Sequence, residues 1–279
     1  MRMGNCQSEA ASKSLEFAEG KLCLKIAPIA VLEFCQPDKR NAVTMRMWEE
    51  LPRVLDRVAG DPGIRVLLVR GSGLSAFCAG ADISEFEVMY GTPESTDSYI
   101  KAVRHAQFQL RHLPQPTVAW VYGDCVGSGC GLALACDLRF AAADARFGIP
   151  PAKLGLAYSV GDTAQLVEKV GPARAKDLLF SARLIDTAEA LAIGLVDRSI
   201  ATDQLAAEVM SYATSMADLS QISNQVSKKI INSISDMMIP DNAELDALYV
   251  STFSGADMRE GYEAFLQRRK PVFRNQGQT

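Results

Sequence analysis

Histidine is scarce in this sequence, and its shortage argues against two large classes of enzyme. Only two histidines occur, His105 and His112, and neither has a second ligand at helical spacing, so no metal site is expected. A Ser-His-Asp hydrolase of the common α/β type places its nucleophile in a G-x-S-x-G turn, and the sequence contains no such turn. Zinc chemistry and triad hydrolysis are therefore not expected.

Long apolar runs, strong charge and paired cysteines are also lacking. No apolar stretch approaches the roughly 20 residues that a membrane span needs. With 29 basic and 33 acidic residues the net charge is −4, so we expect neither a nucleic acid nor a membrane as partner. The seven cysteines are odd in number and include no C-x-x-C pair, which indicates free thiols and predicts a reducing, cytoplasmic location.

Apolar strand-like runs alternate with helical periodicity through most of the chain. Residues 21–35 have the pattern of two strands around a proline turn. Thr44 is a candidate cap for a helix over 45–58, and 65–71 has the composition of a buried strand. A strand followed by a turn and a helix is the repeating pattern of α/β proteins, so the sequence predicts an α/β fold.

We divide the chain into three segments. Residues 1–14 lack the apolar region of a signal peptide and are predicted to be a flexible N-terminal extension. The α/β core is expected over 15–205, with an irregular loop over 72–98. From about residue 162 the pattern is almost entirely helical, and 206–279 is predicted to form a helical C-terminal region.

A cluster of glycines separates a strand from a small-residue helix. Its members are Gly123, Gly127, Gly129 and Gly131. Their spacing fits neither the phosphate loop nor the G-x-G-x-x-G dinucleotide turn. A tight packing turn would explain them, but a second small-residue loop, FCAGAD at 77–82, follows an earlier strand. Two such loops can direct two peptide N–H groups at one oxygen atom, which is an oxyanion hole.

Four segments of the sequence resemble the crotonase superfamily, also called the enoyl-CoA hydratase/isomerase family. They are AFCAGADISEF (76–86), the stretch from GDCVGSGCG to PPAKLGL (123–156), RLIDTAEALAIGLVDR (183–198) and EGYEAFLQRRKPVF (260–273). The resemblance extends from about residue 15 to 275. It implies a crotonase-like spiral of ββα units with a helical C-terminal trimerisation region. It also implies homotrimers or dimers of trimers, and a coenzyme A thioester as substrate with no other cofactor.

The same resemblance assigns site residues by motif position. The oxyanion donors would be the amides of Ala81 and Ser128, where serine stands in a place usually held by glycine. The CoA-binding segment would comprise Ala79, Ala81, Asp82, Ile83 and Ser84, with the Ala79 carbonyl near the adenine. Lys39 and Arg40 resemble the basic residues near the pantetheine and phosphates. Phe265 and Arg268 match positions that reach the CoA of an adjacent subunit, although Arg268 also fits a solvated helix face.

The chain departs from the family pattern at the two hydratase glutamates. Gly131 and Pro151 occupy the corresponding motif positions. Paired carboxylates activate the water and deliver the α-proton, and neither glycine nor proline can do this. Efficient hydration is therefore not expected.

Three residues of GLAYSVGD are candidate replacements. Tyr158 aligns with a tyrosine of family decarboxylases, and it could be a hydrogen-bond donor or part of the pocket wall. Ser159 stands where some isomerases have an aspartate, and Asp162 is the nearest carboxylate. Ser159 and Asp162 also have the spacing of a capping box, so a helix cap and an acid/base pair both remain open.

The sequence thus predicts an acyl-CoA enzyme that stabilises a thioester enolate in a backbone oxyanion hole. Isomerisation and decarboxylation need no glutamate pair, so we expect one of these with at most weak hydratase activity. The alternatives are a malonyl-type acyl-CoA decarboxylase that uses Tyr158, and a non-catalytic acyl-CoA-binding member of the family.

Overall fold

A computed structural model describes residues 13–236 and 256–273. The strands are β1 (Lys13–Phe17), β2 (Leu22–Ile26), β3 (Ile29–Phe34), β4 (Val66–Gly71), β5 (Ala76–Cys78), β6 (Thr117–Val121), β7 (Asp124–Val126), β8 (Leu138–Ala142), β9 (Arg146–Gly148), β10 (Leu184–Asp186) and β11 (Arg198–Ile200). The α-helices are α1 (Met45–Ala59), α2 (Phe86–Tyr90), α3 (Pro93–Arg111), α4 (Ser128–Ala135), α5 (Val160–Ser181), α6 (Thr187–Ala192), α7 (Leu205–Ala217), α8 (Gln221–Ser235) and α9 (Ala256–Leu266). Short 3-10 helices cover Pro37–Lys39, Ile83–Glu85 and Pro151–Leu154.

The described strands form two sheets, and consecutive strands along the chain alternate between them in the central part of the fold. A seven-stranded sheet has the order β1-β2-β3-β4-β6-β8-β11, and a four-stranded sheet has the order β10-β9-β7-β5. From β3 onward the larger sheet is parallel. The units β4-β5-α3, β6-β7-α4 and β8-β9-α5 each add one strand to each sheet, followed by a helix. This repetition confirms the predicted α/β fold of ββα units.

The core follows from the apolar runs of the sequence. All five residues of β6 are buried, as expected for a strand that has neighbours on both sides and is covered on both faces. Helix α1 begins after Thr44, whose side chain accepts a hydrogen bond from the Met47 N–H at 3.3 Å. The cap and the helix predicted from the sequence are therefore confirmed.

The segment predicted to be an irregular loop consists mostly of regular secondary structure. Within 72–98 lie β5, α2 and the beginning of α3. A three-residue strand is too short to show a period of two, which explains why it was missed. The sequence does indicate where α3 starts, since a threonine is followed by a proline there. In the structure Thr92 accepts a hydrogen bond from the Ser95 N–H at 3.1 Å, and Pro93 occupies the first helical position.

The two ends of the chain differ in detail from the predicted segments. β1 begins at Lys13, so the last two residues of the predicted 1–14 extension lie in a strand, and 1–12 are outside the described residues. β10 and β11 interrupt the region predicted to be helical after 162, and α7 begins at Leu205. In the described ranges, no helix combines the length and the apolar character that crossing a membrane requires.

Candidate active site

Two backbone loops come into contact at the carboxyl ends of β5 and β7. These strands are parallel neighbours, so the loops that follow them leave the same edge of the sheet. A Cβ atom on Gly80 would lie 3.4 Å from the Val126 carbonyl oxygen and 4.0 Å from the Ser128 nitrogen. Gly80 and Gly127 have φ angles of 109° and 55°, which glycine adopts readily. Glycine at these positions therefore allows the loops to approach closely.

The amides of Ala81 and Ser128 lie on these two loops. The Val43 N–H donates to the Gly80 carbonyl at 2.8 Å, and the Asp82 N–H donates to the Val43 carbonyl at 3.0 Å, which fixes the first loop. Ser128 is the first residue of α4, where the helix itself does not use the N–H. Within the described parts of the chain, neither the Ala81 nor the Ser128 N–H donates to an acceptor. The fold thus brings together the two amides that the motifs single out.

Helix α4 packs against β5 so closely that position 129 has no room for a side chain. A Cβ atom on Gly129 would lie 2.2 Å from the Cys78 carbonyl oxygen. We expect Gly129→Ala to lower the free energy of unfolding by about 3 kcal/mol, because backbone must move to admit the methyl group. Urea unfolding measures the loss. The control is Gly161→Ala in the first turn of α5, where a Cβ would meet nothing within 4 Å; equal stability of the two variants would contradict the close packing.

Gly131 lies on the same face of α4 as Ser128, and its missing side chain leaves a gap there for groups from neighbouring helices. Residues three apart on a helix are neighbours on its surface, so the gap lies one turn from the Ser128 N–H. A Cβ atom on Gly131 would lie 2.3 Å from Asp162 Oδ1 and 2.5 Å from Gln107 Nε2. The carboxyl of Asp162 therefore occupies the space that a side chain at position 131 would need.

Asp162 has two carboxyl oxygens in different surroundings. The Ser159 hydroxyl accepts from the Asp162 N–H at 3.0 Å, which caps α5, and donates to Oδ2 at 2.7 Å, so the serine half of the predicted capping box is present. Oδ1 is buried beside Gly131 and close to Gln107, and it accepts no hydrogen bond of good geometry from the described residues. The side chain is only 4% exposed, and burial raises the pKa of the carboxyl although Ser159 and Gln107 act in the opposite direction. One oxygen thus bonds to the capping serine, while the other lies buried against Gly131 of α4.

Tyr158 is half-buried against the second loop. Its hydroxyl donates to the Gly127 carbonyl at 3.2 Å, and that carbonyl also accepts the Gly131 N–H at 3.2 Å. Burial raises the pKa of Tyr158 well above its ordinary value, and the charge of Asp162 adds to the effect. Tyr158 is therefore a neutral phenol that bonds to the carbonyl of the Gly127–Ser128 peptide group.

The predicted CoA segment is held by ionic contacts. Lys39 Nζ lies 2.7 Å from Asp82 Oδ2 and 3.0 Å from Ser84 Oγ. Burial alone would raise the pKa of Asp82, but the hydrogen bonds from Lys39 and Ser84 outweigh burial and lower it. The Ala79 N–H donates to the Arg40 carbonyl at 3.0 Å, and Ile83 is 70% exposed. These contacts explain how the loop keeps its shape.

Arg40 is committed to an internal ion pair. Its guanidinium contacts the carboxylate of Asp124, which Arg146 Nε also contacts at 2.8 Å. Arg268 is exposed and lies beyond the end of α9. Phe265 belongs to the last turn of α9, and its side chain is outside the described residues. The CoA contacts of these residues stay predictions.

Gln107 is the site residue that the sequence did not single out. Tyr99, Val103 and Gln107 are spaced by four and are all buried on one face of α3. This face packs over α4, and it places Gln107 at Gly131. In the sequence, Gln107 stands out only as a glutamine among the apolar residues of one helix face. The fold is needed to show that it faces Gly131 and Asp162.

Comparisons with known proteins identify the family of this chain. A family model described as enoyl-CoA hydratase/isomerase matches residues 25–276. Crotonyl-CoA hydratase of Syntrophomonas wolfei is 34% identical over 248 residues, covering 88% of this chain and 94% of that protein. The mitochondrial methylglutaconyl-CoA hydratase of Mus musculus is 30% identical over 253 residues, covering 89% of this chain and 80% of that protein.

A solved structure extends the similarity to three dimensions. An enoyl-CoA hydratase/isomerase family protein from Hyphomonas neptunium matches with a TM-score of 0.89 and 35% identity, covering 92% of this chain and 98% of that one. The crotonase-like fold expected from the motifs is therefore confirmed. On the sequence match and the shared fold together, the chain belongs to the enoyl-CoA hydratase/isomerase family.

Proposed function

We propose that this acyl-CoA enzyme forms a thioester enolate and moves a proton on the acyl chain with Asp162 as its acid/base. One observation carries the proposal. The free Asp162 Oδ1 lies in the gap at Gly131, one helical turn from the Ser128 amide. A carboxyl and an oxyanion donor are thus on neighbouring parts of one site.

The first step is removal of a proton next to the thioester. Asp162 Oδ1 takes the proton from carbon, and the electron pair moves through the carbonyl group to its oxygen. The Ala81 and Ser128 N–H groups stabilise the resulting oxyanion, and the positive end of α4 adds to the effect. Asp162, whose proton exchanges with solvent, then protonates the carbon two positions along the chain, which moves the double bond, so a single carboxyl is sufficient.

The environment of Asp162 suits this role. A general base works best when its pKa is close to the operating pH, and burial raises the pKa of Asp162 from the ordinary carboxyl range. Hydration also requires a group that activates water, and Gly131 and Pro151 carry no carboxylate. Although relatives are named hydratases, we propose that this chain hydrates enoyl-CoA weakly.

A panel of thioesters tests the proposal. We expect conversion of 3-enoyl-CoA to 2-enoyl-CoA, with solvent deuterium entering the acyl chain, both followed by absorbance and mass spectrometry. Hydration of crotonyl-CoA should be at least about 100-fold slower, because one acid/base group contributes that much. Fast hydration without isomerisation would refute the proposal.

Decarboxylation is the second candidate, and the position of Tyr158 favours it. The Tyr158 hydroxyl donates at 3.2 Å to the Gly127 carbonyl, which belongs to the same peptide group as the Ser128 N–H. In the same panel, carbon dioxide release from methylmalonyl-CoA that is lost on Tyr158→Phe would favour a malonyl-type decarboxylase. Binding of acyl-CoA without any turnover would instead favour a non-catalytic family member.

The remaining family expectations stay part of the proposal. The resemblance supports a homotrimer or a dimer of trimers in which Phe265 and Arg268 reach the CoA of a neighbouring subunit. It also supports a site that needs no cofactor other than the CoA thioester.

A further inference from the structure

Gln107 and Asp162 face each other across Gly131 from two different helices. Gln107 Nε2 and Asp162 Oδ1 lie 2.5 Å and 2.3 Å from the point that a Cβ on Gly131 would occupy. Both side chains are only 4% exposed. Neither atom has a hydrogen-bond partner of good geometry among the described residues, so a buried donor and a buried acceptor stand unpaired side by side.

Unpaired buried polar atoms of this kind need an explanation. Leaving a donor or an acceptor unsatisfied is unfavourable, and such groups are few in folded proteins. Gln107 belongs to the buried face of α3, where Tyr99 and Val103 are part of the hydrophobic core and the Tyr99 hydroxyl bonds to Ser128. A methionine or leucine would fill the same space without an unpaired amide, so packing does not account for glutamine here.

We propose that Gln107 is a positioning residue, which directs its amide N–H at Asp162 Oδ1 and thereby fixes the oxygen that exchanges the proton. This inference rests on the proposed function. Ser159 already holds Oδ2 at 2.7 Å, so the carboxyl would be held from both sides. The amide interacts more strongly with an ionised carboxylate than with a protonated one, because a negative oxygen is the better acceptor. Gln107 thus favours the base form of Asp162.

The other titratable groups nearby do not compete with this effect. Tyr158 lies on the same side as Asp162, and the thiols of Cys78, Cys125 and Cys130 are close to Tyr158. Burial raises the pKa of Tyr158, Cys78 and Cys125 far above neutrality, so these three groups are uncharged there. Cys130 donates its S–H to the Cys125 carbonyl at 2.9 Å.

The pH profile of proton exchange tests the inference. Gln107→Met keeps the volume and removes the donor, so the pKa of Asp162 should rise. The acid limb of kcat/KM should then move to a pH about one unit higher. At pH values below the limb, kcat/KM should therefore fall about tenfold. Gln107→Glu places a second carboxyl beside Asp162 and should move the limb further in the same direction. The control is Gln109→Met, the same change on another face of α3, which should leave the profile unchanged.

The outcomes separate this inference from the function on which it rests. An unshifted limb in Gln107→Met, with exchange abolished in Asp162→Asn, would overturn the role of Gln107 alone. Wild-type exchange in Asp162→Asn would overturn the proposed base and the role of Gln107 together. Circular dichroism shows whether Gln107→Met folds. If it does not, the nearly isosteric Gln107→Glu serves as the test variant. An unshifted acid limb in Gln107→Glu also overturns the inference.

Discussion

Replacing Ser128 with proline is expected to lower kcat for thioester turnover by about 10²–10³-fold, because one of two oxyanion donors is lost. Ser128 is the first residue of α4, where proline is well tolerated since the helix does not use that N–H. Gly127 precedes it and has no side chain to clash with the ring. The substitution therefore removes the donor with little change in the fold.

Two matched variants separate the amide from the side chain. Ser128→Ala and Ser128→Gly keep the peptide N–H and remove the hydroxyl, so both should retain a kcat close to that of the wild type. Circular dichroism and the affinity for a non-reactive acyl-CoA analogue check folding and access to the site. Proline and alanine variants of equal activity would show that the Ser128 amide does not stabilise the reacting oxygen.

Asp162→Asn is expected to reduce proton exchange at the acyl chain by about 10²–10⁴-fold, because the amide cannot accept the proton. The substitution keeps the Asp162 main-chain N–H that the Ser159 hydroxyl accepts, and the asparagine carbonyl oxygen is still an acceptor for that hydroxyl. Hydrogen–deuterium exchange into an acyl-CoA, followed by mass spectrometry, measures the loss. An active Asn variant would leave Asp162 with a capping role only.

The same variant should change how stability depends on pH. The pKa of Asp162 is raised on folding, so the folded protein holds this proton more tightly than the unfolded chain does. The stabilisation is complete below the ordinary carboxyl pKa and is lost as the pH rises through the raised value. Asparagine has no proton to lose, so the unfolding free energy of the variant relative to the wild type should increase from acid to neutral pH.

The sequence was most informative where the physical signal is local. The hydroxyl of Thr44 predicts the start of α1, and the apolar run of β6 predicts a buried strand. The spacing of Ser159 and Asp162 predicted the cap of α5, because three residues separate a capping hydroxyl from the N–H that it accepts. Each of these signals lies within one turn or one strand.

The contacts that complete the site are not local, and this is why they could not be predicted. Gln107, Gly131 and Asp162 belong to three helices, and nothing in their spacing along the chain shows that they meet. The same holds for the pairing of Arg40 with Asp124, where the sequence suggested a ligand role for the arginine. The distance between elements is set by the packing of ββα units and not by any one motif.

On the proposed function, the oxyanion donors and the carboxyl that exchanges the proton belong to separate parts of the molecule. The amides at Ala81 and Ser128 are tied to the sheet edge, whereas the carboxyl depends on where α5 starts. The 3-10 turn Pro151–Leu154 and the residues up to 157 lead into α5 and are mostly exposed. Changes in their length or composition should therefore shift the carboxyl, and with it the carbon that is protonated, without displacing the amides of the oxyanion hole.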